Sequence, residues 1–205
     1  TPGTYRSHFI APADQVLPVP DAVPENQLGA IWLPYLTAWG CLVWKQQMRP
    51  GDWVAMPAAS SSVALAAAQV VKAHGGTAIG LTSNPGKVER IQALDSCAYD
   101  HMLVTHESDG SLKPWHREMR HLTQDGGIDV FFDPIAAGEY LSSEIKSLAT
   151  GGTVWIYGLL GGAGPVDLTP LIRKSAAVRG FAVSELIAAG EEAWDGAQPG
   201  DLHSD

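Results

Sequence analysis

Cysteine is scarce: Cys41 and Cys97 are the only two in 205 residues, and they form no CxxC pair. A disulfide scaffold and a cysteine-rich zinc module are therefore excluded, and two free thiols are expected. Long apolar runs are missing as well. No stretch approaches the roughly 20 residues that cross a bilayer, and no basic-then-apolar leader opens the chain, so a cytoplasmic protein with no membrane partner is expected. Positive charge is thin: 22 acids oppose 13 bases for a net −9, and six acids but no base follow Arg179, leaving 16 against 13 in residues 1–179. Without a basic stripe, nucleic acid is not an expected partner. The seven histidines show no ligand spacing, so no metal site is expected. A local shortage says most. Between Ala58 and Ala64, where a strand turns into a helix, there is no glycine at all; three serines, Ser60, Ser61 and Ser62, stand there instead.

The flanks of that turn are readable. Trp53–Met56 is a short apolar run bounded by turn signals, which suits a buried parallel strand. Residues 63–73 are almost all apolar helix formers, so this helix is expected to be covered on most sides. Free amides and the helix dipole converge at its start, a position that favours an anion. Alternation continues downstream. Strands are expected at 77–82, 101–104, 128–133, 153–157 and 177–183. The helices between them are a segment opened by Asn84 and Pro85, one at 114–122, and one with the apolar stripe Leu141, Ile145 and Leu148 that ends at Gly151-Gly152. Earlier, Pro34 is expected to start a helix that runs to Pro50, and 5–10 and 15–19 read as short extended runs among prolines. Six strands in this rhythm predict an α/β fold, a doubly wound six-stranded parallel sheet with its ligand crevice at the carboxyl ends of the strands.

Several segments, in order, resemble the medium-chain dehydrogenase/reductase superfamily in its quinone-oxidoreductase-like, zinc-type alcohol dehydrogenase-like branch. They are Gly3-Thr4-Tyr5, Leu36-Thr37-Ala38-Trp39-Gly40, Pro50-Gly51-Asp52, Ala58 through Val63, Asp133-Pro134-Ile135, Gly151-Gly152-Thr153 and Arg179-Gly180-Phe181. The resemblance implies a Rossmann dinucleotide-binding domain at 28–186, preceded at 1–27 by a short extended remnant of a GroES-like catalytic domain and followed at 187–205 by an acidic tail. Most of the substrate domain is then expected to be missing.

The superfamily's three glycine positions fall on Ala59, Ser61 and Ala64. A tight turn, close backbone approach to pyrophosphate and close helix packing are needed there in turn. Ser60, Ser61, Ser62 and Val63 are thus expected to hold the diphosphate, with helix capping by the serines as the plain alternative. After the second strand there is no acid from Thr77 to Gly86, where an NAD-selective site needs one; Thr82, Ser83 and Asn84 stand there, with Lys87 one turn on. Hydroxyls and a cation suit a 2′-phosphate, so Ser83 and Lys87 point to NADP(H), although Lys87 also reads as an ordinary exposed helix lysine. By resemblance, Thr37, Asp133, Pro134, Ile135, Tyr157, Gly158 and Leu159 line the nicotinamide half, while Asp133 reads equally as a turn-capping carboxylate. The catalytic proton donor is unknown. The implied activity is hydride transfer to an activated C=C or a quinone. The alternatives are a zinc-type alcohol dehydrogenase domain or a non-catalytic dinucleotide-binding scaffold. A homodimer through the sheet edge near Val178 and Val183 is also expected.

Overall fold

A computed structural model describes residues 6–13, 16, 21–162 and 164–190 of the chain. Two compact units result, Thr1–Trp32 and Leu33–Asp205. In the first unit, described residues 6–10 and 16 form no strand, contrary to expectation. Ile10 is 97% exposed, and an extended segment without a pairing partner has nothing to hold it as a strand. The remaining positions of those two runs, and residues 191–205 of the expected acidic tail, lie outside the described residues.

The second unit is built on six strands: β1 Trp53–Met56, β2 Thr77–Thr82, β3 His101–Val104, β4 Ile128–Asp133, β5 Leu148–Ile156 and β6 Ala177–Gly180. All pairs are parallel and the order is β3-β2-β1-β4-β5-β6. This is the doubly wound dinucleotide order, in which the chain departs from β1 in two directions and leaves a crevice beside its carboxyl end. Both faces of the sheet are buried. Val54, Met56, Val130 and Phe132 join one apolar cluster, while Ala55, Phe131 and Val154 join the other. That alternation is the two-residue period of a strand expressed in packing. The helix α2 (Ser62–Ala73) lays Ala64, Ala67, Ala68 and Val71 into the first cluster. α4 (His116–Leu122) and α5 (Gly138–Ser147) contribute Met119, Leu141 and Ile145 to the second, together with Trp115, which is fully buried. Each fully buried large side chain contributes about 1.5–3 kcal/mol.

Four boundaries differ from the sequence reading. α1 spans Leu28–Trp39 with Pro34 inside it and passes into a wide helical turn at Gly40–Lys45, so Pro34 does not open the helix. α3 is Gly86–Gln92 with Pro85, not Asn84, at the cap position; Asn84 stands one residue further out, its Oδ1 accepting the Gly86 amide at 2.8 Å. Gly151 and Gly152 do not stop α5, which ends when Leu148 turns extended. They lie inside β5, where Gly151 has φ +81° and the register with β4 shifts between Ile128 and Val130. A Cβ on Gly152 would meet the Ile128 carbonyl at 2.8 Å, so this bulge needs glycine. β6 stops at Gly180, and Val183 opens α7 (Val183–Ala189). The open sheet edge is therefore four residues long. Both thiols are free, Cys41 buried and Cys97 partly so.

Candidate functional site: the crevice at the carboxyl end of β1

After Met56 the chain turns through Pro57 and Ala58, and Ala58 takes the left-handed conformation at φ +53°. A residue with a Cβ is disfavoured there, so the turn must be held from outside. The Ala59 amide donates to the Leu81 carbonyl of β2 at 3.0 Å, and the Ala59 carbonyl accepts the Tyr99 hydroxyl at 3.0 Å. The Ser61 amide donates to the Ala58 carbonyl at 2.8 Å. Gly80 on β2 makes room beneath: a Cβ there would meet Met102 Sδ at 2.5 Å, Ala59 Cβ at 3.0 Å and Tyr99 Cδ1 at 3.1 Å. Burial and the neighbouring Tyr157 push the Tyr99 hydroxyl up and keep it a donor.

Ser61 caps α2, its Oγ accepting the Ala64 amide at 3.2 Å. The amides of Ser60, Ser62 and Val63 make none of the loop's backbone or capping bonds. They stand at the start of a twelve-residue helix, where an anion gains both donors and dipole. Beside them opens a cavity of about 630 Å³, bordered by Ser60, Ser83, Lys87, Thr105, His106 and Tyr140 among others. Lys87 Nζ stands 3.4 Å from Ser60 Oγ, so the turn after β1 and the first turn of α3 meet at one point. The loop after β2 brings no carboxylate; the one acid on the lining, Glu139, comes from α5. In volume and polarity the cavity suits a ligand of a few hundred daltons with an anionic group.

The loop after β4 forms another wall. Asp133 is fully buried and accepts the amides of Ile135 (2.6 Å) and Ala136 (2.8 Å), so its carboxylate caps a turn in which Ala136 has φ +51°. The Pro134 and Ile135 carbonyls accept the Leu160 and Gly161 amides at 2.9 and 2.8 Å, tying this turn to the loop after β5. Gly158 belongs to the same junction: a Cβ would lie 3.0 Å from the Pro134 carbonyl oxygen. Tyr157 stacks on Phe132 with ring centroids 4.0 Å apart. Its hydroxyl is buried beside Ser61 without a hydrogen bond of normal geometry, and burial pushes its pKa up.

Of the residues singled out in the sequence, Ser60, Ser83, Lys87 and Ile135 border the cavity. Ser61, Ser62 and Val63 form the adjoining helix start. Asp133 and Pro134 sit behind Ile135 and shape its turn. Thr37 is buried in α1 with its hydroxyl donated to the Leu33 carbonyl at 2.7 Å, and Leu159 is 82% exposed; neither borders the cavity. The sequence reading missed Tyr99, Thr105, His106 and Tyr140. Thr105 follows β3, so a reading of that strand's carboxyl end would have found it; Tyr99 precedes β3, where no strand-end signal marks it. Among the described residues no group of three His, Cys, Asp or Glu could hold a metal ion, and no helix is long and apolar enough to cross a membrane.

Known proteins share this arrangement. The family model for zinc-binding dehydrogenases matches residues 62–197. A quinone oxidoreductase of Mus musculus is 28% identical over 185 residues, which is 89% of this chain and 53% of that protein. The solved structure of an NAD-dependent alcohol dehydrogenase superposes with a TM-score of 0.76 at 29% identity, covering 95% of this chain and 55% of the other. A mycobacterial protein complexed with NADPH gives 0.75 at 26% identity over 92% and 56%. The chain thus spans about half the length of these three proteins. With its sheet order, its serine turn at β1 and these matches, the chain belongs to the zinc-binding dehydrogenase family of the medium-chain dehydrogenase/reductase superfamily, as a quinone-oxidoreductase-like cofactor-binding domain.

Proposed function

We propose that the chain is the NADP(H)-binding portion of an oxidoreductase that delivers hydride to an activated C=C or a quinone. The observation that carries this reading is the meeting of Ser60, Ser83 and Lys87 at the cavity mouth, next to the amides of Ser60, Ser62 and Val63. The serine turn would hold the diphosphate through N–H and O–H donors. Ser83 and Lys87 would hold a 2′-phosphate, with no carboxylate from the loop after β2 to repel it. Ile135 and the paired loops after β4 and β5 would form the wall for the nicotinamide half, kept dry and in register by the Asp133 cap. NADPH bound to a structural neighbour supports the choice of cofactor. When bound, the cofactor supplies the hydride, and the residues named here bind and orient it.

The acceptor's half of the cleft is assigned to a substrate domain beyond this unit, consistent with relatives about twice as long. A zinc-type alcohol dehydrogenase, the alternative, would draw its metal ligands from outside the described residues, which hold no group of three candidate ligands. The unpaired β6 edge is the proposed seam of a homodimer by strand pairing, which sedimentation of the chain would detect as twice the monomer mass. The proposal places the protein in the cytoplasm, where the thiols of Cys41 and Cys97 would stay reduced. Fluorescence titration with NADPH and NADH tests the central reading. Preference for NADPH is expected, and equal or absent binding would overturn it.

A further inference from the structure

Two carboxyls lie wholly inside the dinucleotide-binding unit, Asp133 at the end of β4 and Glu144 in the middle of α5. Their situations differ. Each oxygen of Asp133 accepts a backbone amide, from Ile135 and from Ala136. Neither oxygen of Glu144 has a hydrogen-bond partner, and the charged group that acts on it is the neighbouring Asp133 carboxyl. Two neighbouring buried carboxylates cannot both be ionised, because each is an acceptor only and their charges repel in a medium that screens poorly. No ion pair among the described residues involves either one.

The placement of the proton follows from the amides. Asp133 gains two donors that favour its charged form, and Glu144 gains none, so the proton resides on Glu144. Burial and the Asp133 charge both push Glu144 above the usual carboxylate range. Asp133 also rises through burial, against the opposing pull of its two amides and of Glu144. The groups facing the pair are Tyr140 on α5 and Tyr157 after β5, phenols that burial and these same carboxyls keep neutral. Two basic groups on the neighbouring helices are engaged elsewhere. Arg120 of α4 pairs with Asp125, and Lys174 of α6 (Thr169–Lys174) donates to the Lys146 and Leu148 carbonyls. His116 of α4 is held toward its neutral form by burial and by Lys146, Arg117 and Arg120.

We propose that protonated Glu144 is a positioning residue for the cofactor: its neutral carboxyl steadies the Asp133 carboxylate, which holds the turn at Ile135 and Ala136 against the ligand cavity. The inference rests on the NADP(H) reading above and adds a residue that touches neither the cavity nor any ligand. From Asp133 onward the path is hydrogen-bonded: Asp133 to the Ile135 and Ala136 amides, and the Pro134 and Ile135 carbonyls onward to Leu160 and Gly161. Loss of the proton would leave two adjoining buried charges, and relief requires Asp133 or Glu144 to swing toward water. A swing of Asp133 gives up the Ile135 and Ala136 amides and releases the turn, and a swing of Glu144 removes the group that steadies Asp133.

The sign is fixed by the raised folded-state pKa of Glu144. The stability it contributes is fully present below the ordinary Glu value and is lost as pH rises through the raised value, by up to tenfold in the unfolding constant per pH unit. Dinucleotide affinity should fall over the alkaline part of that window. The test measures NADPH affinity and denaturant stability across pH for the full chain and for Glu144→Gln, whose amide is likewise neutral but has no proton to lose. The variant is expected to bind within about threefold of the parent at acidic pH and to be flat as pH rises. The ratio of the two profiles, which cancels titration of the cofactor's own phosphate, should change by up to tenfold per pH unit. A constant ratio, or a parent that binds NADPH with no such fall, overturns the positioning role alone. A parent that binds no dinucleotide at any pH overturns the NADP(H) reading, and this inference with it. Infrared spectroscopy of the parent gives an arm independent of the variant's folding. A neutral carboxylic acid carbonyl band is expected at neutral pH, and its absence overturns the protonated Glu144.

Discussion

Replacing Lys87 by Ala should convert a preference into near indifference. Lys87 is exposed at the first turn of α3, and its Nζ stands 3.4 Å from Ser60 Oγ at the cavity mouth. A hydrogen bond to a charged partner contributes about 1.5–3 kcal/mol, and solvent screening at an exposed position reduces this, so about 1–2 kcal/mol is expected. That corresponds to about five- to thirty-fold weaker NADPH binding. NADH lacks the 2′-phosphate, so its affinity should change by less than about twofold. The assay is a fluorescence titration with both dinucleotides at two ionic strengths. Raising salt should weaken NADPH binding to the parent more than to the variant, because one screened charge contact has been removed. A loss of equal size for both dinucleotides would refute the reasoning and make Lys87 part of the general fold of the cavity. An unchanged preference would remove Lys87 from the site.

Ser61→Ala removes the α2 cap and should cost about 0.5–2 kcal/mol in denaturant unfolding, with NADPH binding weakened alongside. Gly80→Ala places a Cβ against Met102, Ala59 and Tyr99 and should cost about 1–3 kcal/mol; an unchanged unfolding midpoint would contradict the packing beneath the loop. Tyr99→Phe removes the hydroxyl bond to the Ala59 carbonyl; about 1 kcal/mol of stability should go, and the strained Ala58 turn should exchange its amide protons faster. At Asp100, burial acts to raise the carboxyl's pKa, but the Lys72 hydrogen bond, the Ala78 amide and the Lys72 charge together hold it below the usual value. Its contribution is therefore present above the ordinary Asp value and lost as pH falls through the lowered one, so Asp100→Asn should flatten the acid limb of the stability profile.

The sheet was legible in the chain because its strands are buried on both faces. Trp53–Met56 reads as a short unbroken apolar run and Ile128–Asp133 as one interrupted only by Asp129 before its closing Asp133, with helix-period segments between, and parallel order followed from that alternation. What failed was punctuation. Gly151-Gly152 reads as a helix stop, yet the pair forms a bulge whose need for glycine is set by the Ile128 carbonyl on another strand. Pro34 reads as a helix start, yet α1 begins six residues earlier. In the site, the capping serines and the missing acid after β2 were local features and could be read directly. Tyr99 and Gly80 support the turn through the register of β1, β2 and β3, which no local pattern states. Glu144 lay in view: it precedes Ile145 on the stripe that includes Leu141 and Leu148, an acid on a buried face. Only the contact with Asp133 gives that placement a chemical meaning.

The central claim is that a glycine-free turn holds a diphosphate through the start of α2. The most direct measurement follows the backbone amide resonances of the isotope-labelled chain during titration with NADPH. The amides of Ser60, Ser62 and Val63 should shift together with those of Ser83 and Lys87 and saturate at one common affinity. NADPH binding that leaves Ser60, Ser62 and Val63 unmoved would contradict the claim, because the diphosphate would then lie elsewhere.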